Sequence, residues 1–178
     1  MKKSVGLWQL IGFAFTSVAG TLLHFLYDWS GQSVFVTPFS AINESIWEHM
    51  KLLFFPMFLY ALFERRILGK EYHRFWFSKL VGITMGLTVI PVLYYTYTGA
   101  LGVSADWFNI TIFFIAAAIS FRLEAKLLKS GRNAPLSSTA AFLLLCLIGS
   151  AFLLFTFFPP QIPLFQDPVT GLYGLQPK

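Results

Sequence analysis

Ser138–Phe158 reads STAAFLLLCLIGSAFLLFTFF and contains no charged side chain. A helix of this length crosses the roughly 30 Å hydrocarbon core of a bilayer. The rest of the chain repeats the pattern. Apolar segments run over about 7–27, 44–63, 75–97 and 107–123, and the third contains Pro91, which membrane helices tolerate with a kink. Of 178 residues, 56% are hydrophobic and 12% charged. Soluble domains carry about twice that charged fraction. The sequence therefore predicts an all-α membrane protein: a single domain over 1–178, a bundle of about five transmembrane helices.

Charge predicts how the bundle sits. The net charge of +5 does not point to nucleic acid, because the basic residues lie in short connections between apolar segments. Lys2, Lys3, Arg65, Arg66, Lys70, Arg74, Lys79, Arg122, Lys126, Lys129 and Arg132 fall on one side, and they are 11 of the 13 basic residues. Lys51 and Lys178 fall on the other. The positive-inside rule then predicts a cytoplasmic N-terminus and an extracytoplasmic C-terminus. Glu64, Glu71 and Glu124 lie among the inner basic residues, where ordinary exposed ion pairs are expected. The apolar run after Met1-Lys2-Lys3 imitates a signal peptide, but no convincing small-x-small cleavage site precedes Asp28, so it reads as a retained first helix. Cys146 sits mid-span and reads as a small buried hydrophobe.

The outer face is unusual. Asp28, Glu44, Glu48, Asp106 and Asp167 gather there with His24 and His49, almost without basic partners. His24 and Asp28 are four apart near the end of helix one and share a face, as do Glu44 and Glu48 at the start of helix two. His49 points about 100° further round than Glu48. If the two helices are antiparallel neighbours, these groups lie at similar depth. Two imidazoles with carboxylates suit a divalent metal such as zinc, with His24, Glu44, Glu48 and His49 as ligands. His24, Asp28, Glu48 and His49 are also candidate catalytic groups for acid–base work, Asp28 orienting His24.

Each residue has an ordinary explanation beside that one. Ser45-Ile-Trp-Glu48 fits a capping box, and Glu48 and Lys51 are spaced to pair. His24 is placed to hydrogen-bond to a neighbouring helix. Asp106 reads as the N-cap of helix four, and Asp167-Pro-Val-Thr-Gly as a turn. Asn109-Ile-Thr111 matches a glycosylation pattern at the level of chance. No His-Glu-x-x-His, Gly-x-Ser-x-Gly or phosphate-binding loop is present. The tail over 159–178 is rich in Pro and Gly and is not helical. Its Ile162, Leu164, Phe165, Leu172 and Tyr173 predict that it folds back on the bundle, carrying Asp167 or Tyr173 to the polar pocket.

Two motifs are familiar together: Asn43-Glu-Ser-Ile-Trp-Glu-His49, continuing to Pro56, and Pro163-Leu-Phe-Gln-Asp-Pro-Val-Thr-Gly-Leu-Tyr-Gly174 in the tail. They resemble the signatures of a family of small bacterial integral membrane proteins of unknown function. That resemblance implies a multi-pass protein of the bacterial plasma membrane and transfers no catalytic role.

Two functions remain open. One is an outward-facing, membrane-embedded, metal-dependent hydrolase or acyltransferase acting on a lipid or lipid-linked substrate. The other is a non-enzymatic transporter or accessory subunit whose outer polar cluster binds an ion or a protein partner. A conduit needs polar residues along its depth. Helix five has no charged residue, which weakens the transporter.

Overall fold

The computed structural model describes residues 4–130 and 134–175. Lys2, Lys3, Arg132 and Lys178 of the topology argument lie outside the described residues. The chain forms α1 (Val5–Trp29), α2 (Ile46–Leu68), α3 (Phe75–Leu101), α4 (Asp106–Lys129) and α5 (Ser138–Phe157), followed by a short 3-10 turn at Pro163–Phe165. Serines start three of the helices. The hydroxyls of Ser4, Ser45 and Ser137 accept the N–H groups of Leu7, Glu48 and Ala140, donors that a helix start otherwise leaves unsatisfied. Gly102 ends α3 at φ +70, in the left-handed region.

Helices α1, α2, α3 and α5 are long and apolar enough to span a membrane. The fourth segment forms as expected but is more polar than the others. It begins with Asp106 and Asn109, and it continues as helix through Arg122, Glu124, Lys126 and Lys129. The short connection over 102–105 makes it the antiparallel neighbour of α3, its most extensive packing partner. Helices α1 to α4 close into a ring, each packed on the next and α4 packed back on α1. Helix α5 lies outside that ring against α2 and α3.

The ring holds charge at its basic end. Glu64 and Glu124 are not exposed pairs: they are 0% accessible, and Lys79 between them is 1% accessible. Lys79 pairs with both carboxylates, and Gln9 Nε2 donates to Glu64 Oε1 at 2.6 Å. One side chain thus comes from each ring helix. The Lys79 ammonium also lies over the rings of Tyr60, Phe75 and Phe121. A side chain at Gly82 would occupy the space of the Glu124 side chain, so a glycine is required for α4 to seat that carboxylate against α3.

The opposite end is closed by the loop over 30–45 and by the tail. Ser40 Oγ accepts from Tyr27 N at 2.9 Å and donates to Leu23 O at 2.6 Å, binding the loop to the end of α1. The buried Lys51 ammonium donates to Thr37 O at 3.1 Å and Thr156 Oγ1 at 2.9 Å, so one side chain joins the loop, α2 and α5. The tail meets the bundle through Phe165, while Ile162 and Leu172 are exposed. Phe165 packs on Trp47 and Phe155 with ring centroids 4.5 and 5.7 Å apart. Asn43 Nδ2 donates to Gly174 O at 3.1 Å. Replacing Asn43 by alanine is expected to cost about 1 kcal/mol through that bond. Limited proteolysis would show it as faster trimming of the tail with the helical core intact.

Candidate metal centre

His24 stands one turn before the end of α1, and His49 lies in the first turn of α2. Glu44 precedes the Ser45 cap and is therefore not helical. These three converge. Glu44 Oε2 lies 3.4 Å from His49 Nε2 and 3.9 Å from His24 Nε2. One ligand atom from each residue lies within 4.8 Å of the other two. The two imidazoles meet edge to face at 5.5 Å, and Phe25 stacks on His24 at 5.0 Å. His49 Nδ1 lies 2.9 Å from the Ser45 carbonyl oxygen. A carbonyl only accepts, so Nδ1 carries the proton and the Nε2 lone pair faces Glu44 and His24. This is the arrangement by which a backbone oxygen fixes a metal-ligating histidine.

The distances suit a small cation. Ligands about 2.0–2.2 Å from a tetrahedral zinc lie about 3.3 Å apart. The Glu44–His49 pair is already at that spacing, the His24–Glu44 pair needs a closure of about half an ångström, and the two ligand nitrogens lie within 4.8 Å of each other. Three protein ligands leave a fourth position for water or substrate, the pattern of catalytic rather than structural zinc sites. The side chains of His24, His49 and Glu44 are 30%, 19% and 48% accessible, so the fourth position is reachable.

The structure separates the other expected site residues from this cluster. Glu48 does not share a face with Glu44, because Glu44 lies before the helix begins. The Glu48 carboxylate is buried, 2.7 Å from Lys51 Nζ, and accepts Ile42 N at 3.1 Å. It is a structural carboxylate, and the i,i+3 pair with Lys51 is its partner. The capping half of the Ser45 motif forms, but the carboxylate reaches Ile42 rather than back to Ser45. Asp28 is not among the converging ligands, and His24 has Phe25 and His49 rings against it instead. Asp106 is inside the first turn of α4, whose N-cap is Ala105. Asp167 does form the expected turn, accepting Val169 N at 3.0 Å and Thr170 Oγ1 at 2.7 Å.

A cavity of about 550 Å³ opens over the three ligands. Asp106, Asn109 and Ser104 form its far wall, and Pro168 and Val169 of the returning tail its rim. The tail thus reaches the pocket, but by these two residues rather than by Asp167 or Tyr173. Asn109 is held in place by Tyr97, whose hydroxyl donates to Oδ1, and by its own donation to Ser104 Oγ at 3.2 Å. Sequence reasoning set Asn109 aside. Its signal was an amide in the first turn of a helix, ahead of the apolar run from Ile110. A neighbouring void of about 20 Å³, bordered by Glu44, His49, Tyr94 and Asn109, has room for one water with polar partners.

The model of a family described as "Family of unknown function (DUF6512)" matches residues 1–175, so the chain belongs to that family. No curated protein and no solved structure matches it.

Proposed function

We propose that this member of the family of unknown function is a metal-dependent hydrolase of the bacterial plasma membrane, opening outward and cleaving an ester of a lipid or lipid-linked substrate. The convergence of His24 Nε2, Glu44 Oε2 and His49 Nε2, with His49 fixed by the Ser45 carbonyl, carries this reading. The charge asymmetry of the helix connections supports the orientation.

A divalent ion such as zinc, which these three residues would hold, would supply Lewis acidity to the reaction. The chain supplies the rest. Glu44 and the two imidazoles hold the ion at the mouth of the bundle. The one-water void beside Glu44 and His49 has room for the attacking water. Asn109 and Asp106 position the polar part of the substrate on the opposite wall. Hydrolysis adds that water to the ester carbonyl and breaks the carbonyl–alkoxy bond. The alkoxide leaves with one proton of the water, giving a carboxylic acid and an alcohol. An alcohol in the place of water makes the same site an acyltransferase.

The non-enzymatic alternative fits less well. Between His49 and Glu64, about 22 Å apart along α2, the helix turns Leu53, Phe54, Met57 and Ala61 inward. The polar side chains buried at that depth on the facing helices, Thr16 and Ser120, carry no charge. The test is metal content. Protein purified without chelator should carry about one zinc per chain, and the His24→Ala/His49→Ala double variant none at unchanged helix content. A wild-type chain that neither carries zinc nor takes it up in titration sinks the metal reading.

A further inference from the structure

Beneath the imidazoles the molecule has a second, different space. A slot of about 200 Å³ lies between α1, α2 and α4, lined by Gly20, Thr21, Phe25, Leu52, Phe113 and Phe114. His24, His49, Asn109 and Ile110 belong to its wall as well, and all four also line the polar cavity above. The two spaces therefore meet at the candidate metal ligands. Below that level the lining is apolar apart from the Thr21 hydroxyl, which donates to the Ser17 carbonyl of its own helix at 2.8 Å. The slot descends one helical turn, about 6 Å from His24 to Gly20 and from Asn109 to Phe113. It ends where α1 comes close: a side chain at Gly20 would meet the Phe113 ring and the Leu52 carbonyl oxygen. Its outer edge is formed by Phe25, Ile110 and Phe114, all exposed on the face a bilayer would cover.

The charges of the upper cavity differ from those of a phosphate site. Its ionisable residues are His24, His49, Glu44 and Asp106, and no lysine or arginine lines it among the described residues. With Glu44 and the imidazoles committed to a cation, Asp106 remains as a carboxylate facing the head of the substrate. It complements an ammonium and repels an anionic head.

We infer that the slot is a hydrocarbon-chain subsite, and that the substrate is an outer-leaflet lipid with an amine-bearing head, entering sideways between α1 and α4. The inference rests on the hydrolase reading for its chemistry, but not for its geometry. The ester of such a lipid sits at the junction of the two spaces, beside His24 and His49. The first methylenes of one chain fill the slot, and the remainder stays in the bilayer along Phe25 and Phe114. The amine reaches Asp106. No step of lifting the lipid from the membrane is needed.

Photolabelling tests this without requiring turnover. The full chain is reconstituted in phosphatidylethanolamine–phosphatidylglycerol vesicles. They contain a trace of phosphatidylethanolamine whose acyl chain carries a diazirine next to the carbonyl, and label positions are read by mass spectrometry. Labelling at Thr21, Phe25, Ile110 and Phe114 should exceed that at Leu143 and Leu147 of α5 about tenfold, the ratio for a preference of about 1.4 kcal/mol. Ile110→Trp, which fills the mouth, should remove the label from α1 while zinc content and helicity stay unchanged. A phosphatidylglycerol probe should label the slot several-fold less. Equal labelling by the two lipids overturns the head-group assignment. Uniform labelling around all five helices overturns the subsite. Slot labelling in a protein that binds no zinc and releases no fatty acid overturns the hydrolase reading and leaves the lipid subsite standing.

Discussion

Replacing Lys79 by methionine is expected to lower the stability of the folded chain by about 3–5 kcal/mol. Two carboxylates, Glu64 and Glu124, would then share a buried site with no cation, where the wild type seats an ammonium against both. Removing one partner of a buried ionic cluster costs about 3–5 kcal/mol. Total stabilities are about 5–15 kcal/mol. The loss therefore takes at least a fifth of what holds a typical domain. The aromatic rings around Lys79 offer a negative face to a cation and nothing comparable to two anions. The triple variant Lys79→Met/Glu64→Gln/Glu124→Gln should recover most of the loss, because its buried groups are neutral and the amides still hydrogen-bond. Thermal unfolding in detergent, followed by circular dichroism, measures both. A single variant that melts with the wild type would show that the triad is hydrated, contrary to its burial.

That triad shows where sequence reading stops. The helices were legible because apolar runs of span length have few other uses. Each formed, and the second and fourth run on past the apolar stretch into charged residues. Glu64 was misread because Arg65 and Arg66 beside it suggest an exposed pair. Its periodicity says otherwise. Met57, Tyr60, Ala61, Glu64 and Leu68 are all buried and recur at spacings of three and four, so Glu64 continues the inward stripe of α2. Ala116, Ser120, Glu124 and Leu128 do the same on α4. A charged residue in register with an apolar stripe is the signal, and it becomes an ion cluster only when a second helix brings the opposite charge. That second step is tertiary and no local pattern contains it.

The histidine site divides the same way. His24 and His49 were legible as neighbours because consecutive helices bring residues at equal depth together. Assigning Glu48 beside Glu44 assumed that helix two already begins at residue 44. It begins at Ile46 with Ser45 as cap, and that shift of two residues turns Glu44 toward the histidines and Glu48 toward Lys51.

This difference makes the two carboxylates separable by experiment. Lewis-acid stabilisation is worth several kcal/mol, and each 1.36 kcal/mol is tenfold in rate. Removing a ligand through Glu44→Gln or His49→Ala is therefore expected to lower kcat/KM for fatty-acid release from phosphatidylethanolamine vesicles by about 1000-fold or more. Zinc content should fall in parallel, with the thermal transition nearly unmoved. Glu48→Gln should do the opposite. It leaves Lys51 buried without its carboxylate, lowering stability by about 3 kcal/mol, while the folded fraction keeps its zinc and its rate. Acid provides the matching control. Metal-ligating groups must be deprotonated, so protons compete with an ion bound at the site. Activity should fall on acidification and return when excess zinc is added at the same pH, because mass action then favours the metal-bound imidazoles. Loss that excess zinc does not reverse would place the titrating group outside the ligand set. A Glu48→Gln chain that loses zinc while remaining folded would restore Glu48 to that set and break the division the helix start imposes.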